Sequence, residues 1–495
     1  MKVLLIQPRG GFMLRGITHP VCRDLMMSAT FLKQRGYDVC VWDRCIEKKE
    51  SISKTGFHAD AAIFFISQSS SVKDAARVSS RLRADGSVIL WADMIAVLGQ
   101  DMPDVFHYCD YLFTGEFCFA ADELLQTIQN GADPASVAGI AFEKGDTVVK
   151  TAPRALPDFS ALFPIDWSLI DVAKCFRRFP GCKKMLYLNA SVGCPFFCGF
   201  CSTPVCYGAR RKRPMAHVIQ EIDYLVQHNG LDGINFSDEL LLFTDEELQQ
   251  LKSCRERNGN SFIWGGETRP QFLTRVQLMK MHDAGCRWLM FGLESGSSTM
   301  RTSLNKSYDP DYIRDVVNWC SELGIATFGS FIIGFPDETE RDLYDTVQFA
   351  LSLDLDAFLF NFFVMIPNSP LYHDALEKGS FRFESVLEFD DTVNTDKLDA
   401  NLSRIPYRDL ATVKAYFDFL TITRKKKNAA GGTSSGRQFM EKAVNTAMEY
   451  LRGTPKEIVF RIGSVIKRGF CVFYYPLRYP IVIKKYGLRN INRGC

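Results

Sequence analysis

Three cysteines, Cys194, Cys198 and Cys201, stand at offsets of 0, 4 and 7 in the run C-P-F-F-C-G-F-C. Thiolates are soft ligands, and three at this spacing can each take one iron of a four-iron, four-sulfur cluster. The fourth iron would then stay open to an atom of a substrate or cofactor. Zinc is the main rival: a structural zinc closes four protein ligands, and Cys206 supplies a fourth by count. Unligated cysteines are the third reading of the spacing.

The surrounding residues narrow the choice. Tyr187-Leu-Asn-Ala-Ser-Val-Gly-Cys194 leads into the cysteines, and Trp264-Gly-Gly-Glu-Thr-Arg-Pro270, Phe291-Gly-Leu-Glu-Ser-Gly-Ser297, Leu304-Asn-Lys306 and Phe331-Ile-Ile-Gly-Phe-Pro-Asp-Glu-Thr339 follow in order. Together they resemble the radical S-adenosylmethionine (SAM) enzymes, in the large subgroup with an N-terminal cobalamin-binding-type domain. The resemblance is strong over residues 185–375 and looser over 1–150. It implies a cluster on Cys194, Cys198 and Cys201 whose open iron takes the amino and carboxylate groups of SAM. One electron into the sulfonium then yields a 5′-deoxyadenosyl radical that removes hydrogen from an unactivated carbon. Amino-acid bases cannot perform that step, so cofactors carry the chemistry and the protein controls geometry.

The same resemblance assigns further residues. Phe200 is placed near the SAM adenine, and Glu294 and Ser295, after a strand Trp288–Leu293, contact the SAM ribose or amino-acid portion. A structural alternative for Glu294 is to cap the following helix. Glu267 and Arg269 point inward, Arg269 as a bidentate partner for a carboxylate or as one half of an internal ion pair with Glu267. Gly334 allows close backbone approach in the loop near adenine, and Pro336 restricts its turn. Ser237-Asp238-Glu239 is a weaker strand-end candidate, and Tyr308, Asn361 and His373 are candidates to reach substrate. Cys254, Cys286 and Cys320 fall in amphipathic segments as small buried hydrophobes. The chain has no second close cysteine array, which weighs against an auxiliary cluster and against methylthio transfer.

The elements that must position these groups are legible as alternation. From Lys184–Asn189 onward, strands Gly233–Ser237, Ser261–Trp264, Arg287–Phe291, Ala326–Ile333 and Ala357–Val364 alternate with helical stretches. About six such units make a partial (β/α) barrel with its functional groups at the carboxyl ends of the strands. Ahead of it, strands Val3–Gln7, Tyr37–Asp43, Ala61–Ser67, Ser87–Trp91 and Tyr111–Thr114 alternate with helices near Arg23–Gln34, Ser70–Arg83 and Ala120–Asn130. That pattern is a Rossmann-like parallel sheet. The expected organisation is a cobalamin-binding-type domain over 1–150, a connector over 151–183, the radical barrel over 184–375, an associated extension over 376–424 and a basic, helical region over 425–495.

Periodicity does not name the ligand of the first domain; the resemblance implies cobalamin, through Gln7, Trp91, Gly115 and Glu116. No D-x-H-x-x-G motif is present, so no histidine from that loop ligates cobalt. The Gly-Gly pair usual after the fourth strand is replaced by Trp91-Ala-Asp-Met94, and Trp91 either caps the corrin or fills its place.

Composition is that of an ordinary globular protein: 495 residues, 46% apolar and 23% charged. The start Met1–Pro8 enters a strand directly and reads as no secretory signal, and no clean apolar run reaches bilayer-crossing length. Sixteen scattered cysteines suit a reducing cytoplasm. The net charge of +2 hides an asymmetry, because residues 421–495 hold 16 Lys or Arg against 3 Glu. Lys425–Gly436 reads as an exposed connector, with helices expected over Arg437–Leu451 and Lys456–Lys467. The aromatic run Gly469–Ile483 among these cations suits peripheral membrane docking or a basic cap over the barrel. Nucleic acid is a poor fit, since no binding module accompanies the charge.

The functional expectation is a cobalamin-dependent radical SAM C-methyltransferase acting on a small, hydrophobic molecule such as an isoprenoid lipid or tetrapyrrole, fed by an electron donor such as flavodoxin or ferredoxin. A radical cyclase or oxidoreductase is the enzymatic alternative. A non-catalytic cobalamin- or lipid-binding regulator with a structural cluster is the alternative of another class.

Overall fold

The computed structural model describes residues 1–10, 23–47, 57–67, 71–93, 102, 104–115, 117–156, 158–159, 162–388 and 402–423, with a few positions beyond. The expected helices at 437–451 and 456–467, the run 469–483 apart from Val482, and Glu116 lie outside the described residues. Two compact units divide the chain: Met1–Trp264 with Val364–Lys397, and Gly265–Phe363 with Leu398–Cys495.

The first unit opens on β1 (Lys2–Gln7), α1 (Arg23–Gln34), β2 (Asp38–Asp43), β3 (Ala61–Phe65), α2 (Val72–Ala84), β4 (Val88–Ala92), β5 (Tyr111–Phe113), α3 (Cys118–Gln129), β6 (Ile140–Lys144) and β7 (Thr147–Lys150). The sheet order is β2-β1-β3-β4-β5-β6-β7, with the first five strands parallel. Every residue of β3 is buried, as expected of a central strand in a parallel sheet. Strand order reverses between β1 and β3, and in open parallel sheets ligands bind at the carboxyl ends beside such a reversal. The antiparallel hairpin β6–β7 has no counterpart among the expected elements. Its second strand is mostly exposed and offers no apolar run to detect.

Further on, β8 (Arg177–Phe179) pairs antiparallel with β9 (Cys182–Leu188). Beyond β9, β10 (Ser191–Val192) and β11 (Arg211–Lys212) pair across the neck of the cysteine loop, with α4 (Thr203–Tyr207) between them. After α5 (Met215–Asn229), β12 (Gly233–Phe236) pairs parallel with β9, from Gly233 opposite Met185 to Phe236 opposite Leu188. A capping box between Thr244 and Glu247 starts α6 (Asp245–Arg257).

One strand, β13 (Ile263–Thr268), runs from the end of the first unit into the second. It starts and ends later than the expected Ser261–Trp264, because Gly265 leaves the room that Trp288 fills. A Cβ at Gly265 would meet the Trp288 carbonyl oxygen at 2.3 Å. Glu267 therefore lies within a strand rather than after one.

In the second unit follow α7 (Arg275–Asp283), β14 (Cys286–Glu294), α8 (Ser298–Ser303), α9 (Pro310–Leu323), β15 (Ala326–Ile333), α10 (Glu340–Ser352), β16 (Ala357–Phe362) and α11 (Tyr407–Thr423). Strands β14, β15 and β16 are parallel neighbours. Asp309 caps α9 at its start and left-handed Gly324 at its end. Phe360 of β16 stacks on Phe331 at 4.8 Å and on Phe417 of α11 at 4.0 Å, which fastens that helix to the strands.

Part of the basic C-terminal segment falls within this unit. Val482 and Tyr486 are buried, the Tyr486 hydroxyl donates to Asp409 at 3.4 Å, and Gln348 donates to the Tyr486 carbonyl at 2.9 Å. At these positions the segment caps α10 and α11. Among the described residues no helix is long and apolar enough to cross a membrane.

Candidate functional site

The cysteine loop leaves the carboxyl end of β9 and is folded by carboxylates. Asp238 and Glu239, just past β12, grip its entry: Asp238 accepts the Ala190 N–H at 2.9 Å and the Ser191 hydroxyl, and Glu239 accepts the Gly193 N–H at 2.8 Å. Burial pushes the Asp238 carboxyl up to about 6, against the opposing pull of its two donors. At the loop's crossing point the Cys194 N–H donates to the Gly208 carbonyl at 3.2 Å. Gly193 has φ of +85°, and a Cβ there would sit 2.6 Å from that same oxygen, so no other residue fits.

Within the loop Cys198 is buried, Cys194 and Cys201 are half-buried, and all three are free of disulfides. The Thr203 N–H points at Cys201 Sγ from 3.4 Å, a donor aimed at sulfur. Phe200, beside Cys201, is half-buried. Among the described residues no group of three His, Cys, Asp or Glu side chains is already gathered as a metal site. Cys206 is buried, and burial pushes its thiol up to about 12. Three thiols at this spacing suit an iron–sulfur cluster, which takes its thiolates on separate irons.

In the second unit a different group of charges gathers at the strand ends. Glu294, the last residue of β14, is buried with φ of +57°, and Lys306 closes on its Oε1 as a buried ion pair. A Cβ at Gly292 would lie 2.8 Å from Glu294 Oε1, 3.0 Å from Lys306 Nζ and 3.9 Å from Glu267 Oε1. Two carboxylates and an ammonium thus converge over a residue without a side chain. That is a fitting seat for the paired charges of an amino-acid moiety. Arg269 is buried where β13 turns into the short helical turn Pro270–Phe272.

Ser295 departs from the expectation that it faces a ligand. It is fully buried, with its hydroxyl 2.8 Å from the Thr346 hydroxyl while accepting the Ser297 N–H at 3.2 Å. Its side chain ties the turn to α10. The capping role considered for Glu294 belongs to Ser297, which accepts the Met300 N–H at the start of α8. Tyr308 donates its hydroxyl to the Ser295 carbonyl at 2.7 Å, a turn-holding role, while Asn361 and His373 are exposed.

The loop after β15 is organised by a residue absent from the expected set. Gly334 has φ of +86° and lies against Leu410, and its N–H donates to Glu338 Oε2 at 2.5 Å, with the Phe335 N–H at 3.2 Å. Glu338 is fully buried, its Oε1 has no hydrogen-bond partner, and burial pushes its carboxyl up to about 7. Its signal in the sequence was present, four residues after a strand-end glycine. The other missed partner, Lys306, lay inside a recognised motif without an assigned role.

On the N-terminal sheet, Gln7 ends β1 and is buried. Gly115 lies past β5, where a Cβ would meet nothing within 4 Å among the described residues. Trp91 corrects an expectation. Its ring is fully buried, stacked on Tyr108 at 6.0 Å, and its Nε1 donates to Ser79 at 3.0 Å, so it fills the layer between sheet and α2 and presents no face to a corrin.

Comparison with known proteins agrees with this layout. Residues 188–350 match the family model of the radical SAM superfamily. An uncharacterized methyltransferase of Pyrococcus horikoshii is 27% identical over 269 residues, 54% of this chain and 58% of that protein. The chain therefore spans little more than half of that relative's length. The bacteriochlorophyllide d C-12(1)-methyltransferase of Chlorobaculum tepidum is 23% identical over 384 residues, 76% of this chain and 79% of the relative. Among solved structures, the radical SAM methyltransferase TsrM of Kitasatospora setae, solved with cobalamin and a [4Fe-4S] cluster, superposes with a TM-score of 0.63 at 17% identity, over 76% of this chain and 75% of that one. The likeness shows the fold alone: a Rossmann-like parallel sheet followed by a partial (β/α)6 barrel.

Proposed function

We propose that the chain is a cobalamin-dependent radical SAM C-methyltransferase acting on an unactivated carbon, a reading supported by the match of residues 188–350 to the radical SAM superfamily and by the likeness in fold to TsrM. The observation that carries the reading is the cysteine loop at the end of β9, with three cysteines in no disulfide on a frame that carboxylates fold from outside. When bound, a four-iron cluster with SAM supplies the reducing step that makes a hydrogen-abstracting radical, and cobalamin supplies the methyl group.

The residues divide the remaining work. Cys194, Cys198 and Cys201 hold the cluster, and Phe200 flanks the adenine. Glu294, paired with Lys306, and Glu267 hold the amino-acid portion of SAM, while Arg269 takes a carboxylate. Gly334 and Phe335, fixed through Glu338, present backbone to the adenine. Gln7, Gly115 and Glu116 border the cobalamin. The substrate is a small hydrophobic molecule, a tetrapyrrole or an isoprenoid lipid. Tetrapyrrole gains support from the Chlorobaculum relative, whose substrate is a bacteriochlorophyllide. A small reducing protein such as flavodoxin or ferredoxin supplies the electron, and the basic segment after 424 serves peripheral membrane contact.

The test is an anaerobic assay of the reconstituted protein with methyl-labelled SAM, a chemical reductant, methylcobalamin and a panel of tetrapyrroles and polyprenyl lipids. Labelled methyl in a carbon-methylated product supports the proposal. Ring formation without methyl gain replaces it with a cyclase, and absence of SAM cleavage removes radical chemistry altogether.

A further inference from the structure

The cysteine loop is held from a second side, by the N-terminal sheet domain of the same unit. Tyr207, the last residue of α4 and six residues beyond Cys201, donates its hydroxyl to Asp93 Oδ1 at 2.6 Å. Asp93 directly follows β4, is 1% exposed and has φ of +75°. Aspartate in the left-handed region carries strain that persists only where its surroundings hold it. A second link runs from the first residue of α1. Arg23 is bidentate to Asp24, with both contacts at 2.7 Å, and its Nη1 donates to Glu239 at 3.2 Å. Its guanidinium lies 5.1 Å over the Tyr207 ring.

These contacts form one chain of interactions. Asp93 holds Tyr207, Arg23 stacks on Tyr207 and holds Glu239, and Glu239 holds the Gly193 N–H beside Cys194. Both ends of the loop, 193 and 207, are thereby tied to the N-terminal sheet domain. All four side chains are polar and mostly buried, so each depends on its partner to offset desolvation. Asp93 also explains the departure from a Gly-Gly pair after β4: glycine would adopt the same φ without strain but would bring no carboxylate.

We infer that Asp93, Tyr207, Arg23 and Glu239 are positioning residues that set the geometry of the cysteine loop from the N-terminal domain. The inference rests on the reading of Cys194, Cys198 and Cys201 as cluster ligands. The network acts on the thiols through the backbone and touches no reacting atom.

The test uses the full chain, anaerobic, both free of cluster and reconstituted with iron and sulfide. Tyr207→Phe removes one hydroxyl. Asp93→Gly removes the carboxylate at a backbone angle that glycine accepts without strain. In the cluster-free protein, each is expected to raise amide exchange across 193–208 and iodoacetamide labelling of Cys194 and Cys201 by about tenfold, the scale of one charge-assisted hydrogen bond. The double variant is expected to go no further than either single one, and exchange in β15 is expected to stay unchanged. In the reconstituted protein the same variants shift the electron paramagnetic resonance signature of the reduced cluster.

Loop exchange and labelling within about twofold of the parent, or an increase spread equally into β15, would overturn the inference. Should Asp93→Gly fail to fold, Tyr207→Phe decides alone. If the parent chain takes up no iron and sulfide, the function proposed above fails, while the exchange and labelling data still decide whether the network positions the loop.

Discussion

The cysteine loop and the strand-end charges around Gly292 both gather carboxylates, yet they use them in opposite ways. In the loop, Asp238 and Glu239 are taken up by the Ala190 and Gly193 N–H groups, the Ser191 hydroxyl and Arg23, and serve as scaffolding for an irregular segment. At Gly292 the carboxylates of Glu294 and Glu267 gather with Lys306, which pairs directly with Glu294, beside a residue without a side chain. Acidic residues at strand ends are thus of two kinds, those that fold a loop and those that gather with a buried lysine beside a glycine. Sequence alone ranked both as site candidates. The difference lies in what accepts from what, which only the fold reveals.

The comparison can be broken by substitution, beginning where the effect is largest. Replacing any one of Cys194, Cys198 or Cys201 by Ala should abolish iron and sulfide uptake under anaerobic reconstitution, measured by metal analysis, and leave the far-ultraviolet circular dichroism unchanged. Cys206→Ala should keep uptake, and loss of iron there would make Cys206 a fourth ligand of the cluster.

Next come the buried ion pairs. Arg213 and Glu221 pair with side chains 3% and 1% exposed, beneath the start of α5. Arg213→Ala leaves a buried carboxylate uncompensated and should lower unfolding free energy by about 3–5 kcal/mol in a denaturant titration. Lys306→Ala strands Glu294 in the same way and should cost about 3 kcal/mol. It should also weaken SAM binding measured by calorimetry, whereas Arg213→Ala should leave SAM affinity alone once the protein is folded. If the two variants behave alike toward SAM, the distinction between scaffold and ligand seat is wrong.

A finer effect is the pH dependence set by Glu338. Its carboxyl lies at about 7 in the folded protein against 4.5 ordinarily. The folded state therefore holds a proton that the unfolded state releases between those values. The associated stability is fully present below pH 4.5 and is lost as pH rises to 7, by about 3 kcal/mol in order of magnitude. Glu338→Gln keeps one acceptor for the Gly334 and Phe335 N–H groups without the charge. Denaturant midpoints for this variant should fall less between pH 5 and 7 than those of the parent, and parallel curves would refute the assignment.

The smallest effect expected is that of Trp91→Phe. It loses the hydrogen bond to Ser79 and some buried ring, about 1–2 kcal/mol, with no change in corrinoid affinity measured by absorbance titration. A large loss of affinity would return Trp91 to the ligand.

Much of this was legible because parallel strands write long apolar runs and helices write capped amphipathic stretches. Five parallel strands of the first sheet and the strands of the barrel fall within a few residues of expectation. Boundaries failed where glycine obscures the pattern: Gly265 and Gly266 read as a strand's end, yet the strand runs on through Glu267. Residue roles failed where burial decides them. Trp91 and Ser295 sit at family site positions, but one ring is sealed between sheet and helix and the other hydroxyl is spent on Thr346. Asp93–Tyr207 was invisible because it joins residues 114 apart, beyond any local pattern.

The most direct test of the central claim is the cofactor content of protein purified anaerobically from cobalamin-supplied cells, by metal analysis, acid-labile sulfide and corrinoid absorbance. The account predicts about four irons, about four sulfides and about one corrinoid per chain. Iron and sulfide without corrinoid would contradict the cobalamin-dependent mechanism and leave a radical SAM protein whose N-terminal sheet serves another ligand.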